Sequence, residues 1–117
     1  MNHKEMDVWI KSMDLVEKIY TMSDAFPNEE MYGLKSQMRR SSVSIPSNIA
    51  EGAARKSNKE FLQFISIAIG SLAELETQYE LSIRLGFLKK DNMINELIII
   101  VRKLLLGTRN YIQKKSA

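Results

Sequence analysis

SIPSNIAEG, residues 44–52, sets a proline, an asparagine and a glutamate inside a segment whose apolar residues keep helical spacing. Leu34, Met38, Ile45 and Ile49 recur on one side of a helix predicted over about residues 29–53, so Pro46 falls in a helix interior. There it removes a backbone donor, bends the helix, and leaves a carbonyl near Ser42 needing a partner that neighbouring serines are placed to supply. Gly52 lies on the same side as Leu34 and Ile45, where it lets another helix come close or ends this one. At about 100° per residue, Gln37, Arg40, Ser44, Ser47, Asn48 and Glu51 share a polar arc beside the apolar one.

A second polar arc, Ser71, Glu74, Gln78 and Ser82, borders the apolar stripe of the next predicted helix. Two polar strips that each flank a core strip are expected to meet. One reading is a chemical site built from Arg40, Asn48, Glu51 and Glu74. The other is an interhelical network of Arg40, Ser44, Asn48, Glu51, Ser71, Glu74 and Gln78, in which partly buried polar groups satisfy one another. The network is preferred, because these residues contain no paired nucleophile and base. Residues 44–52 are therefore expected to form a kinked, tightly packed joint.

Working outward, few turn signals interrupt the 3.6-residue periodicity: two prolines and five glycines in 117 residues. A first helix is predicted over about residues 4–25, with Trp9, Met13, Val16 and Tyr20 inward and Val8, Leu15, Ile19 and Met22 beside them. Pro27 ends it, and Asn28 with Glu29 and Glu30 suits the start of the second helix. Ser57 and Glu60 form a capping box for a third helix over about residues 57–85, with Gly86 as its stop. Its stripe runs through Phe61, Phe64, Ile65, Ala68, Leu72, Leu75, Tyr79 and Ile83. Asp91 caps a fourth helix over about residues 91–114, with Ile94, Leu97, Ile98, Val101, Leu105 and Ile112 inward. Four long helices with short connections give an all-α fold, a single-domain antiparallel up-down four-helix bundle.

The chain has no cysteine, which excludes a disulfide framework, a thiolate zinc site and a cysteine nucleophile. Its one histidine is His3, so a di-iron bundle with Glu-x-x-His pairs is excluded, and no phosphate-binding glycine loop is present. No metal or other cofactor is expected. No apolar run reaches the length of a signal peptide or a bilayer span, so a cytoplasmic protein without membrane insertion is expected. The net charge of +3 is mild for one copy, but an oligomer multiplies it.

The segment QMRRSSVSIPSNIAEG, residues 37–52, closely resembles the signature of the bacterial four-helix-bundle proteins named after the 23S rRNA intervening sequence. Trp9 and Tyr20, Phe26-Pro27 before Glu30, Tyr32-Gly33-Leu34, Ile67-Ala68, Gly70-Ser71-Leu72 and Glu74-Leu75-Glu76 extend the match over nearly the whole chain. The sequence departs at Ala53-Ala54-Arg55, where the family often has an aromatic residue or glycine before the arginine. The resemblance implies a left-handed bundle and ring-shaped homopentamers, often encoded within large-subunit ribosomal RNA genes and without an established activity. The related accessory proteins of diversity-generating retroelements use a basic pentamer to bind a reverse transcriptase and nucleic acid, so RNA or a nucleic-acid-bound protein is an expected partner.

Independent signs of assembly lie in surplus apolar faces. Ile99 and Leu106, one heptad apart, face away from the inner stripe of the fourth helix, and Leu62 and Ile69 lie off that of the third. Basic residues offered for nucleic acid are Arg39, Arg55, Lys56, Lys59, Lys89, Lys90, Arg102, Lys103 and Arg109. Three functions follow as expectations. They are a non-catalytic oligomeric RNA binder, a protein-binding scaffold without a nucleic-acid role, and a hydrolase using Glu51 and Glu74, the last disfavoured.

Overall fold

The computed structural model describes residues 2–116. Four α-helices, α1 (Asp7–Ser23), α2 (Leu34–Ala53), α3 (Asn58–Arg84) and α4 (Asn92–Ser116), are joined with 3-10 turns at His3–Glu5 and Asn28–Glu30, and no strand occurs among the described residues. Each helix packs on its neighbours in sequence, and α1 closes against α4. Bonds between α2 and α3 join Ser41 to Gln78 and Ser44 to Ser71, so the numbering rises on one helix as it falls on the other. The result is an antiparallel four-helix bundle of 47 × 24 × 21 Å.

Local chemistry sets most helix ends. Ser57 Oγ accepts from Glu60 N at 3.2 Å, the first half of a capping box at the start of α3, while the Glu60 carboxylate returns to the Ser57 hydroxyl, at 3.4 Å, in place of its backbone N–H. Gly86, at φ 81°, takes the left-handed conformation that stops α3. Asp91 Oδ1 accepts from the backbone of Met93 and Ile94 and starts α4.

Three expectations need correction. The first helix begins at Asp7 rather than Lys4, behind a separate 3-10 turn, and ends at Ser23. The second starts at Leu34, because residues 28–30 form their own turn and the carboxylate of Glu30 accepts from Leu34 N at 3.2 Å; Asn28 does not cap it. The buried stripe of α1 is Val8, Ser12, Leu15, Ile19 and Ser23, while Met13 and Tyr20 are 37% and 40% exposed. Ser12 and Ser23 fit the core because their hydroxyls donate to the carbonyls of Trp9 and Tyr20, at 2.8 and 3.2 Å. Hydropathy counts them as polar, which turns the expected stripe away from the true one.

The α3–α4 corner is pinned by Tyr79, whose hydroxyl accepts from Asp91 N at 2.7 Å and donates to Asp91 O at 3.2 Å. Burial raises the phenol above its usual range; the charges of Asp91 and Glu80 add to this, and the backbone bond to Asp91 opposes it. A raised folded value means that the hydroxyl's contribution is intact below pH about 10 and is lost as pH rises through the folded value. Tyr79→Phe is expected to cost about 1–2 kcal/mol near pH 8. The gap from the unmodified protein should narrow in urea melts above pH about 10.

Candidate functional site

The seam between α2 and α3 is polar where the sequence places the signature. Ser41 donates to Gln78 Oε1 at 2.7 Å and contacts the Met38 carbonyl at 3.2 Å. One turn on, the hydroxyls of Ser44 and Ser71 meet at 2.8 Å, and Asn48 Nδ2 donates to the oxygen atoms of Ser44 at 2.7 and 2.9 Å. Ser82 donates to the Gln78 carbonyl at 2.7 Å. Ser41, Ser71, Gln78 and Ser82 are buried, so these bonds satisfy groups that water does not reach. Pro46 lies inside α2, fully within the packed region.

Not every expected member joins. Glu51 sits beside Arg55 at 3.6 Å and makes no bond to the seam. Glu74 and Arg40 are exposed and line the mouth of a polar cleft of about 350 Å3 with Gln37, Ser41, Ser44 and Gln78. Glu74 stands near the level of Ser41 and Ser44, about two helical turns from Glu51, so the two carboxylates do not converge on a common point. Ser41 was missed because it lies in the apolar arc, between Met38 and Ile45. Its spacing from both was the available signal.

The basic residues divide by what holds them. Arg39 is consumed by α1: its fork donates to Ser23 Oγ at 2.8 Å, the Tyr20 carbonyl at 3.0 Å and Asp24 at 2.9 Å. Arg55 stacks on Phe64 at 4.8 Å between Glu51 and Glu60, and Arg102 pairs with Glu76. These three are partly or wholly neutralised within the chain, which weakens their reading as phosphate contacts. For Arg39 and Arg102 the reason is long-range pairing that composition does not reveal, whereas Arg55 is held by its sequence neighbours Glu51 and Glu60.

Lys56, Lys59, Lys89, Lys90 and Lys103 are exposed and form no ion pair among the described residues. Antiparallel order carries Lys56 and Lys59, at the α2–α3 turn, to the same end as Lys114 and Lys115 near the end of α4. Lys115 lies 4.9 Å over the Tyr111 ring. Lys89 and Lys90 lie at the opposite end. Arg109 is half-buried, and its Nε is buried without a hydrogen-bond partner.

Of the surplus apolar residues, Ile99 is 49% exposed and Leu106 is half-buried. Leu62 and Ile69 pack partly against their own core, which their arc alone did not show. More exposed aliphatics, Ile67, Leu81 and Leu85, lie along the outer face of α3. No helix among the described residues is long and apolar enough to cross a membrane.

A family model described as 23S rRNA-intervening sequence protein matches residues 4–107. A solved structure from Bacteroides thetaiotaomicron, described as a protein with unknown function from the S23 ribosomal protein family, is similar at 26% identity and a TM-score of 0.79. The match covers 87% of this chain and 97% of that one. No curated protein matches.

Proposed function

Because the chain belongs to the 23S rRNA-intervening sequence protein family, we propose that it is a non-enzymatic homo-oligomer, a pentameric ring on the family pattern, that binds RNA in the cytoplasm through one basic end of the bundle. The observation that carries this reading is the pairing of Lys56 and Lys59 with Lys114 and Lys115 at one end, where antiparallel order gathers four lysines without intrachain ion pairs among the described residues. Around a ring that end becomes a repeated cationic band, and each neutralised phosphate releases counterions. No metal or cofactor takes part in this reading. The family name points to ribosomal RNA as the first nucleic acid to try.

Reversal of all four lysines to Glu is expected to weaken binding to a single-stranded RNA about a hundredfold or more and to flatten its salt dependence. Reversal of Lys89 and Lys90, at the other end, should change it far less. Equal binding by the fourfold variant and the unmodified protein, in fluorescence anisotropy across a salt series, contradicts the assignment. A second reading, a protein-binding scaffold, is favoured by the exposed Ile67, Leu81 and Leu85 on α3. Partner capture that survives nuclease treatment would select it.

A further inference from the structure

The polar cleft between α2 and α3 holds groups that the seam leaves unused. Gln78 is only 8% exposed, and its Oε1 accepts from Ser41 at 2.7 Å. Its Nε2 has no hydrogen-bond partner among the described residues. That nitrogen is not sealed in, because Arg109 Nε is the one buried side-chain nitrogen or oxygen without a partner among them. Gln78 lines the cleft, so the open end of its amide faces the cavity from the floor. A donor held in place by a bond to the other end of its amide is pre-organised for a ligand oxygen.

The walls carry two further free groups. Glu74 precedes Gln78 by one turn on α3, and Arg40 stands across from them on α2. Both are exposed at the mouth, and neither forms an ion pair among the described residues. Their charges cancel. A phosphate would meet the Glu74 carboxylate. A metal ion would meet Arg40, and no group of three metal-ligating side chains occurs among the described residues. The set suits a neutral ligand that both donates and accepts. At about 350 Å3 the cleft has room for one planar base.

Nucleobases differ in what they show along one edge. Guanine presents two adjacent donors, N1–H and its 2-amino group, beside the O6 acceptor, and the two donors match the two oxygens of one carboxylate. Adenine and cytosine set a lone pair next to their amino group, and uracil sets its N–H between two carbonyls, so each points a lone pair at the carboxylate. We propose that the cleft binds one unstacked guanine of single-stranded RNA. Glu74 accepts from N1–H and the 2-amino group, Gln78 Nε2 donates to O6, and Arg40 donates to N7 on the adjoining edge. The order along the base follows the seam: Gln78 lies one turn beyond Glu74, and Arg40 stands at the level of Gln78, because its neighbour Ser41 is bonded there. The inference rests on the proposed RNA binding and adds a base contact to it. Lys56 and Lys59 lie at the end of the same seam, about 20 Å from Ser41 at about 1.5 Å per residue, so the lysines position a strand whose base the cleft reads.

The test is fluorescence anisotropy with short oligouridine strands that differ at one central base. The strand with guanine should bind the unmodified protein about tenfold tighter than the strand with adenine. Inosine, which lacks the 2-amino group, should bind about fivefold more weakly than guanine. Glu74→Gln, at an exposed position where circular dichroism checks the fold, should abolish both differences and leave the salt dependence set by the lysines. Equal binding of the guanine, inosine and adenine strands overturns the inference and leaves the RNA reading standing. A guanine preference that Glu74→Gln keeps in full overturns the assignment to this cleft. Failure of every strand to bind at low salt overturns the RNA reading and this inference with it.

Discussion

Gly52→Ala is expected to destabilise the fold by about 1–3 kcal/mol, although alanine is the better helix former by about 1 kcal/mol. A Cβ at this position would lie 2.8 Å from Phe61 Cδ1 and 2.9 Å from Phe64 Cβ. The Phe61 ring can swing aside. The Phe64 atom is one bond from the backbone of α3, so relief requires the two helices to separate. That separation would strain the Ser44–Ser71 and Ser41–Gln78 bonds further along the seam. Gly70, in the middle of α3, has open space where a methyl group would stand, with nothing within 4 Å. Gly70→Ala should therefore be neutral or stabilising by up to about 1 kcal/mol. Thermal melts of the two variants should move in opposite directions, with Gly52→Ala losing about 5–10 °C. An unchanged or raised melting temperature for Gly52→Ala would show that α2 and α3 are not in close contact at residues 44–52.

Arg39→Ala should lose about 2 kcal/mol of stability. α1 ends without a basic residue in its last turn, and Arg39 supplies that charge from α2. Its Nε donates to Ser23 Oγ at 2.8 Å and its Nη2 to the Tyr20 carbonyl at 3.0 Å, while the guanidinium lies 4.4 Å from the Tyr20 ring. The Asp24 carboxylate is 74% exposed, so the ion pair adds less than about 1 kcal/mol, and the fixed fork carries most of the effect. Arg39→Lys keeps the charge and loses the fork, and it should recover less than half. Urea unfolding measures both. If Arg39→Ala kept full stability and lost RNA binding instead, Arg39 would return to the nucleic-acid surface.

The parts of this fold legible in the sequence are those set by near neighbours. Ser57 with Glu60, Asp91 before α4 and Gly86 after α3 act within four residues, and each does what its local chemistry dictates. The α4 stripe was readable because its buried residues, Ile94, Ile98, Val101, Leu105 and Ile112, are all large and apolar; those of α2 and α3 were readable through Met38, Ile45 and Ile49 and through Ile65, Leu72, Leu75 and Tyr79, which recur at helical spacing between the buried serines. The α1 stripe was not, since Ser12 and Ser23 satisfy their own hydroxyls and pass as core. The charge state of the basic surface was also hidden. Arg39 meets partners 15 to 19 residues away, and Arg102 meets one 26 residues away. Arg55 was more accessible, because Glu51 and Glu60 flank it at short range. The unpaired Nε of Arg109 depends on how α4 packs in three dimensions and has no counterpart in sequence pattern.

The central claim, an assembly of this bundle that carries RNA on its basic end, is tested most directly by size-exclusion chromatography with light scattering and absorbance at two wavelengths, on protein purified without nuclease. The account predicts a mass of several 13.5 kDa protomers with excess nucleic-acid absorbance that high salt removes. A single species of 13.5 kDa with a protein-only spectrum would contradict it.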